Sequence, residues 1–490
     1  MLDMKHKSLI MVAVFLATLM TSIETTIITT AMPTIVSALH GLSMQSWIFT
    51  IYLLATALTT PIYGKLSDQL GRKPIFVTGI LLFTVGSLLS GLASNMMFLI
   101  LARLVQGIGA GAVLPITNTI IADLFTFDKR ATALAFNNTA WGISALAGPV
   151  VGGLIVQKFN WHWIFFINVP IGLIVLLIIV SLYENPVETK ANKLVLDYQG
   201  ILTLSLSLLS LLMIFQFLQK TPVSWRWISG LFFILAVSGI SFVYAERHSK
   251  QPLIDFGIFR NRTFTIQIFT AFILSGAQFS FQIYFPMWLQ SIYKLPADLA
   301  GLVVSPSPIM WLIASFFVGY FVKRYAPKYI NIFFISVMII SYMFIISATL
   351  HTDLMLFYII SGISGLVLGM VITSNTLIAQ QVINQDELGL ASSMLTLGRT
   401  LGQTIMTGVY GLSFNITLSS GIKAHREAVS EQVMNQFVNN SAQISETSRQ
   451  IANAIMLRAQ HTVFYIMLFV LVVAVVINYS DPLKKPLVSE

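Results

Sequence analysis

The chain has 490 residues, 56% of them hydrophobic and 10% charged, against roughly 25% charged in an ordinary soluble domain, which excludes a water-soluble globular fold. Cysteine is absent, which removes disulfide frameworks, thiol catalysis and cysteine-type zinc sites. The net charge of +9 arises from basic residues in short loops between apolar runs, a pattern of membrane topology rather than of a nucleic-acid face.

Apolar runs of about 20 residues, the length a helix needs to cross about 30 Å of hydrocarbon, predict fourteen spans. They fall at 9–30, 46–63, 75–93, 97–122, 131–156, 163–182, 200–218, 227–245, 264–288, 299–322, 329–349, 354–378, 390–416 and 462–480. The first follows Lys5 and Lys7 but contains Glu24 and no convincing cleavage site, so it reads as a span rather than a secretory leader. An even count puts both termini on one side. Placing them in the cytoplasm leaves eighteen of the 28 basic residues inside, eight outside, and Arg103 and Arg399 within spans. Trp47, Trp161, Trp163, Trp225, Trp227 and Trp288 then gather at the outer boundary as an interfacial belt. The polar interruption at about 417–460 is too small for an enzymatic domain, and no G-x-x-x-x-G-K-[ST] occurs to bind ATP. These features point to a gradient-driven or passive carrier in the cell membrane.

Between spans 2 and 3 the sequence reads Gly64-Lys65-Leu66-Ser67-Asp68-Gln69-Leu70-Gly71-Arg72-Lys73. Two glycines permit a tight turn between closely packed helices, and Asp68 can pair with Arg72 or with a helix terminus, making a latch that can break. This pattern resembles the signature of the major facilitator superfamily. Other segments strengthen the likeness: Arg103 to Gly109 resembles its arginine motif, and Gly148-Pro149-Val150-Val151-Gly152-Gly153 the motif that marks its antiporters. Trp161 to Gly172 looks like the entry to span 6 of the fourteen-helix drug:proton antiporters, with His162 where arginine is usual. Thr25 to Pro33 resembles that group's span 1 motif, with Glu24 where aspartate is common. Gly319 to Arg324 partly repeats the first loop without its aspartate.

The resemblance covers essentially the whole chain. It implies an all-α integral membrane protein of fourteen transmembrane helices: a six-helix bundle over 1–182, a linker with two added helices over 183–262, and a second six-helix bundle over 263–490. It also implies export of lipophilic, often cationic compounds by alternating access against proton entry, and it carries a role in proton coupling to Arg103; a monomer that needs no cofactor is the accompanying expectation.

The residues speak to the same mechanism. Of nineteen acidic residues, Glu24 alone lies well inside a span, and an intramembrane carboxylate is a functional expectation by default. Such a group can take a proton or a cationic cargo but not comfortably both, which is the simplest chemistry for antiport. Glu24 and Arg103 lie at like depth, about 9 Å below the outer surface at 1.5 Å per residue, so direct pairing is possible; a permanent lock between them is the structural alternative. Asp123, at the cytoplasmic end of span 4, is a candidate proton relay or a helix-end partner. Gly148 and Gly152 share a helix face that a neighbouring helix can approach closely, and Pro149 favours a bend. Gly153 completes the motif.

Polar and aromatic residues that could face a cavity are Asn118, Asn137, Asn138, Trp141, Gln216, Gln278, Gln282, Tyr284, Trp311, Asn375 and Arg399. Stacking and cation–π attraction among such groups would suit a flat lipophilic cation or zwitterion. The seven histidines show no metal-ligand spacing. Three alternatives stay open at this point: an exporter of a specific metabolite, fatty acid or lipid-linked molecule; a membrane enzyme or sensor; and an uptake carrier.

Overall fold

The structure, a computed structural model, describes residues 4–39, 45–184, 197–218, 224–249, 252–254, 256–295, 302–349, 352–430, 433–434, 437 and 445–486. Most of the expected connection at 183–197 and part of the 417–460 interruption lie outside them, as do the side chains of Pro149 and Gln216.

The first part of the chain builds α1 (Met4–Leu39), α2 (Gln45–Leu70), α3 (Arg72–Gly91), α4 (Met96–Leu124), α5 (Phe127–Lys158), the single turn α6 (Trp163–Phe166) and α7 (Asn168–Leu182). The pair α8 (Tyr198–Leu218) and α9 (Trp225–His248) follows. The last part holds α10 (Arg262–Ile292), α11 (Pro306–Arg324), α12 (Pro327–Ile346), α13 (Leu354–Val382), α14 (Leu388–Ala424) and α15 (Glu446–Tyr479). Several starts carry the side-chain caps that satisfy orphan backbone donors: Asn95 accepts from the Phe98 N–H, Asn261 from Phe264, Asp353 from Met355 and Ser445 from Ser448.

Within the first part α3 and α2 both pack on α4, and α1 packs on α5 and α7; within the last part α11 packs on α13, α10 on α14, and α12 on α15. The two parts meet where α5 lies on α11 and where α14 lies on α2 and α4. The α8–α9 pair stands beside them, touching α2 and α14 through α8. Small residues and hydroxyls bring α2 against α4: a Cβ on Gly107 would come within 2.5 Å of the Tyr52 carbonyl. Thr56, Thr59 and Thr60 donate to the carbonyls of Gly107, Ile108 and Gly111.

The expected fourteen spans are corrected by this architecture. Among the described residues, twelve helices are long and apolar enough to cross a membrane. The two expected spans that fall short are 131–156, inside α5, and 390–416, inside α14. Length is not what they lack, because α5 has 32 residues and α14 has 37. For α14 composition is the reason, since it carries Arg399, Thr400, Gln403 and Thr404; in α5 the apolar half after Ala140 runs through positions 146, 149, 150 and 157, whose side chains lie outside the described residues. Both sit at the seam between the two parts, packed on helices of the other part, where a polar side chain can find a protein partner. The polar interruption is also shorter than its composition suggested, since α14 continues to Ala424 and α15 begins at Glu446.

Candidate functional site

Three polar constructions occupy the helix bundle. The first surrounds Glu24, in the middle of α1. Arg103, on the second turn of α4, donates through Nη1 to Glu24 Oε1 in a direct ion pair. The same nitrogen donates to Gln106 Oε1 at 2.7 Å, and Nε donates to the Ile48 carbonyl at 3.4 Å. The guanidinium lies over the Tyr52 ring, 4.2 Å from its centroid. Asn168, at the start of α7, donates through Nδ2 to Glu24 Oε2 at 2.6 Å and to Ser87 at 3.0 Å. Glu24 and Arg103 are both 0% exposed, so in this conformation the carboxylate is closed to solvent and to cargo alike. Pairing and hydrogen bonding are what make such a buried charge tolerable. Gln106, Asn168 and Tyr52 were not singled out from the sequence. Gln106 and Asn168 lie within motifs that were, and both are polar residues in apolar surroundings, which is the signal that could have found them.

The second construction closes one end of the molecule. Asp68, near the end of α2, accepts from the N–H groups of Gly389 and Leu390 at 2.9 and 2.8 Å, at the N-terminus of α14. A carboxylate at a helix N-terminus meets unsatisfied donors and the positive end of the helix dipole. The helices touch because side chains are absent there: a Cβ on Gly64 would come within 1.9 Å of Ser393 Oγ, and one on Gly389 within 2.4 Å of Ser67 Oγ. Gly71, the one glycine at positive φ among the described residues, turns α2 into α3 at φ 89°. Arg72 does not pair with Asp68. Its Nε lies 3.1 Å from Asp123 Oδ2 at the end of α4, and Tyr183 donates its hydroxyl to the same oxygen at 3.2 Å. Arg130 donates to the Ala122 carbonyl beside them, and Lys73 to the Val180 carbonyl. The loop therefore ties α2 to α14, and separately α3 to α4 and α7.

The third construction lies where α5, α11, α13 and α14 converge. Asn138 of α5 donates to Thr373 Oγ1 of α13 at 3.0 Å, and Ser315 of α11 lies 3.3 Å from the same hydroxyl. One turn further along α13, Thr376 accepts from Arg399 Nη2 at 2.8 Å. The other expected cavity residues are dispersed. Asn118 is half-buried and its carbonyl accepts from Gln380. Gln278 is buried and donates to Ser307 at 2.9 Å. Gln282 is exposed, Tyr284 packs on Phe414, and Trp141 and Trp311 are half-buried. Asn137 accepts from Thr18, and Asn375 lies in a buried amide cluster with Gln267 and Asn331, so both serve helix packing. Gly148 lies against Thr26 of α1, where a Cβ would come within 2.1 Å of the hydroxyl oxygen. Gly152 is buried and Gly153 half-buried on the same helix. No cluster of three or more metal-ligating side chains occurs among the described residues.

A profile of the Major Facilitator Superfamily matches residues 14–407. The multidrug transporter protein MdtP of Bacillus subtilis (strain 168) is 33% identical over 411 residues, covering 84% of this chain and 75% of that protein. The multidrug efflux pump SdrM of Staphylococcus aureus (strain N315) is 29% identical over 419 residues, 84% of this chain and 92% of that one. Among solved structures, the human organic anion transporter MFSD10 (TETRAN) aligns with a TM-score of 0.64 at 12% identity, over 95% of this chain and 99% of that one. A double-tryptophan mutant of XylE aligns with a TM-score of 0.65 at 13% identity, over 99% and 98%. At such identities the likeness is one of fold. With a profile match over most of its length, the chain belongs to the Major Facilitator Superfamily and is a multi-pass secondary transporter of small molecules, not an enzyme.

Proposed function

We propose that the chain is a proton-coupled antiporter that exports lipophilic cationic or zwitterionic compounds across the cell membrane, with both termini in the cytoplasm. The observation that carries this reading is the sealed Glu24–Arg103 pair with Asn168 on its second oxygen. A proton reaching Glu24 from outside would replace the guanidinium as the partner of the carboxylate, and the freed Arg103 would then have to find other acceptors. That exchange of partners is a two-state element which a gradient can bias. One charge moving through 100 mV supplies about 2.3 kcal/mol, worth roughly a 50-fold concentration ratio.

Residues 1–182 and 263–490 are proposed as the two moving halves, with 183–262 as the linker between them. Asp68 and Gly64 hold the cytoplasmic ends of the two halves together as the conformational latch, while Gly71, Arg72 and Lys73 brace its loop within the first half, Arg72 through Asp123, which acts there rather than in a proton path. Gly148, Pro149, Gly152 and Gly153 form the sliding face of α5 on α1. The cargo would lie against Asn138, Trp141, Trp311 and Arg399. The similarity to proteins named as multidrug transporters supports lipophilic drugs and dyes as cargo, and the absence of an ATP-binding loop supports the proton gradient as the energy source.

The test is exchange in proteoliposomes after a pH jump, across cationic, zwitterionic and anionic ligands, for wild type and Glu24→Gln. Gradient-driven export by wild type that is lost in Glu24→Gln, with normal insertion, supports the proposal. Wild-type exchange retained in Glu24→Gln moves proton coupling elsewhere. Activity toward a single metabolite or lipid-linked compound, with no competition among unrelated ligands, replaces the multidrug reading with a specific exporter.

A further inference from the structure

Glu24 and Arg103 neutralise each other, but a further cation lies deep in the bundle. Arg399 stands on α14 nine residues after Leu390, about 14 Å along the helix axis from the Asp68 contact at 1.5 Å per residue. Its Nη2 donates to the Thr376 hydroxyl at 2.8 Å and to the Ile372 carbonyl at 3.2 Å. Its Nε is buried without a hydrogen-bond partner. No carboxylate is among its partners: the ion pairs of the described residues are Arg72–Asp123 and Arg103–Glu24. A guanidinium keeps its charge, and a charge held away from water without a counter-ion is unfavourable. Arg399 is nevertheless half-buried rather than sealed, so one side of it stays within reach of a ligand. The hydroxyls of Thr376 and Thr373 and the Asn138 amide run beside it from α13 to α5, across the seam between the two parts of the chain.

We propose that Arg399 is the counter-charge for a carboxylate on the cargo, so that the exporter prefers lipophilic acids and zwitterions to purely cationic compounds. This rests on the export reading and shifts its cargo from cations toward compounds that carry a carboxylate. The planar guanidinium fork matches a carboxylate. A ligand bound there is held at α13 and α14 while its body lies toward α5 and α11, so that both parts of the chain touch it.

The experiment is calorimetric binding to the purified full-length protein of three lipophilic acids of unrelated skeletons and their methyl esters, at low chloride. Wild type is expected to bind acids about tenfold more tightly than their esters. Arg399→Gln should weaken the acids at least tenfold and the esters less than threefold, while Arg399→Lys keeps part of the preference. The proposal is overturned if no acid binds wild type better than its ester, if Arg399→Gln weakens acids and esters alike, or if the preference survives that variant. It is also overturned if chloride or an anionic phospholipid at millimolar levels abolishes the acid preference, which would assign the site to an ion or a lipid headgroup. Should Arg399→Gln fail to fold, Arg399→Lys decides: a reduced preference supports the proposal and a full one refutes it. Binding needs no gradient, so a wild type that prefers acids yet moves nothing against a pH step would sink the export reading and leave this one standing.

Discussion

Replacing Asp68 by asparagine tests whether the α2–α14 contact is a latch. The aspartate accepts from two backbone N–H groups, of Gly389 and Leu390, at 2.9 and 2.8 Å. Hydrogen bonds to a charged acceptor contribute about 1.5–3 kcal/mol each, and a negative charge at a helix N-terminus adds about 0.3–1 kcal/mol. Asparagine keeps one acceptor oxygen and turns an amide N–H toward the second donor, so the net loss is about 2 kcal/mol, or roughly thirtyfold in the closed-to-open ratio. The chain contains no cysteine, so a single introduced thiol reports without background. Ser393 is 0% exposed and lies against Gly64, which makes Ser393→Cys a reporter of that seam. Its labelling rate by a water-soluble maleimide should rise about thirtyfold when Asp68→Asn is added. A rise below threefold would mean that Asp68 caps α14 without holding the two parts of the chain together.

Arg103→Ala strands the fully buried Glu24 carboxylate and should lower stability by about 3–5 kcal/mol, read as a drop in the thermal unfolding midpoint. Adding Glu24→Gln should recover a large part of that loss, and failure to recover would show that Arg103 acts mainly through Tyr52 and Ile48. The Arg72–Asp123 pair, 3.1 Å apart, should give a coupling energy of about 1–3 kcal/mol in a double-mutant cycle of Arg72→Ala and Asp123→Asn; a value near zero would mean that the pair does not hold α3 to α4. Gly402→Ala places a Cβ within 2.0 Å of the Phe272 carbonyl oxygen, a backbone atom that cannot swing aside. It should cost about 1–3 kcal/mol, measured by thermal unfolding, whereas Gly230→Ala, which meets nothing within 4 Å, should leave the midpoint unchanged.

The site was legible to different depths. Glu24 and Arg103 stand out because ionisable groups are rare in runs of apolar residues, and like depth along two helices follows from rise per residue alone. The apolar part of α1 ends at Ile28, near the expected end of the first span, although the helix itself continues to Leu39. Contact between the two depends on helix rotation, which no spacing reveals. Asp68 allowed two partners on sequence grounds, and the helix terminus it meets lies 321 residues away. For the cavity, residue type was a poor guide: an asparagine on an apolar helix serves equally to join two helices, as Asn137 and Asn375 do, or to face a ligand.

The amino-acid sequence by itself determined that this chain lives in a membrane and which acid lies inside a span, because hydrocarbon penalises charge and unpaired backbone so heavily that composition must record it. Tertiary structure decided which helices meet at the seam between the two parts, where α5 lies on α11 and α14 on α2 and α4. It also decided that Asn168 completes the Glu24 site, that Arg72 turns to Asp123, and that Arg399 is left without a carboxylate. These outcomes follow from rotation and pairing of helices far apart in the chain, where the free energy belongs to the contact and is written in neither partner alone.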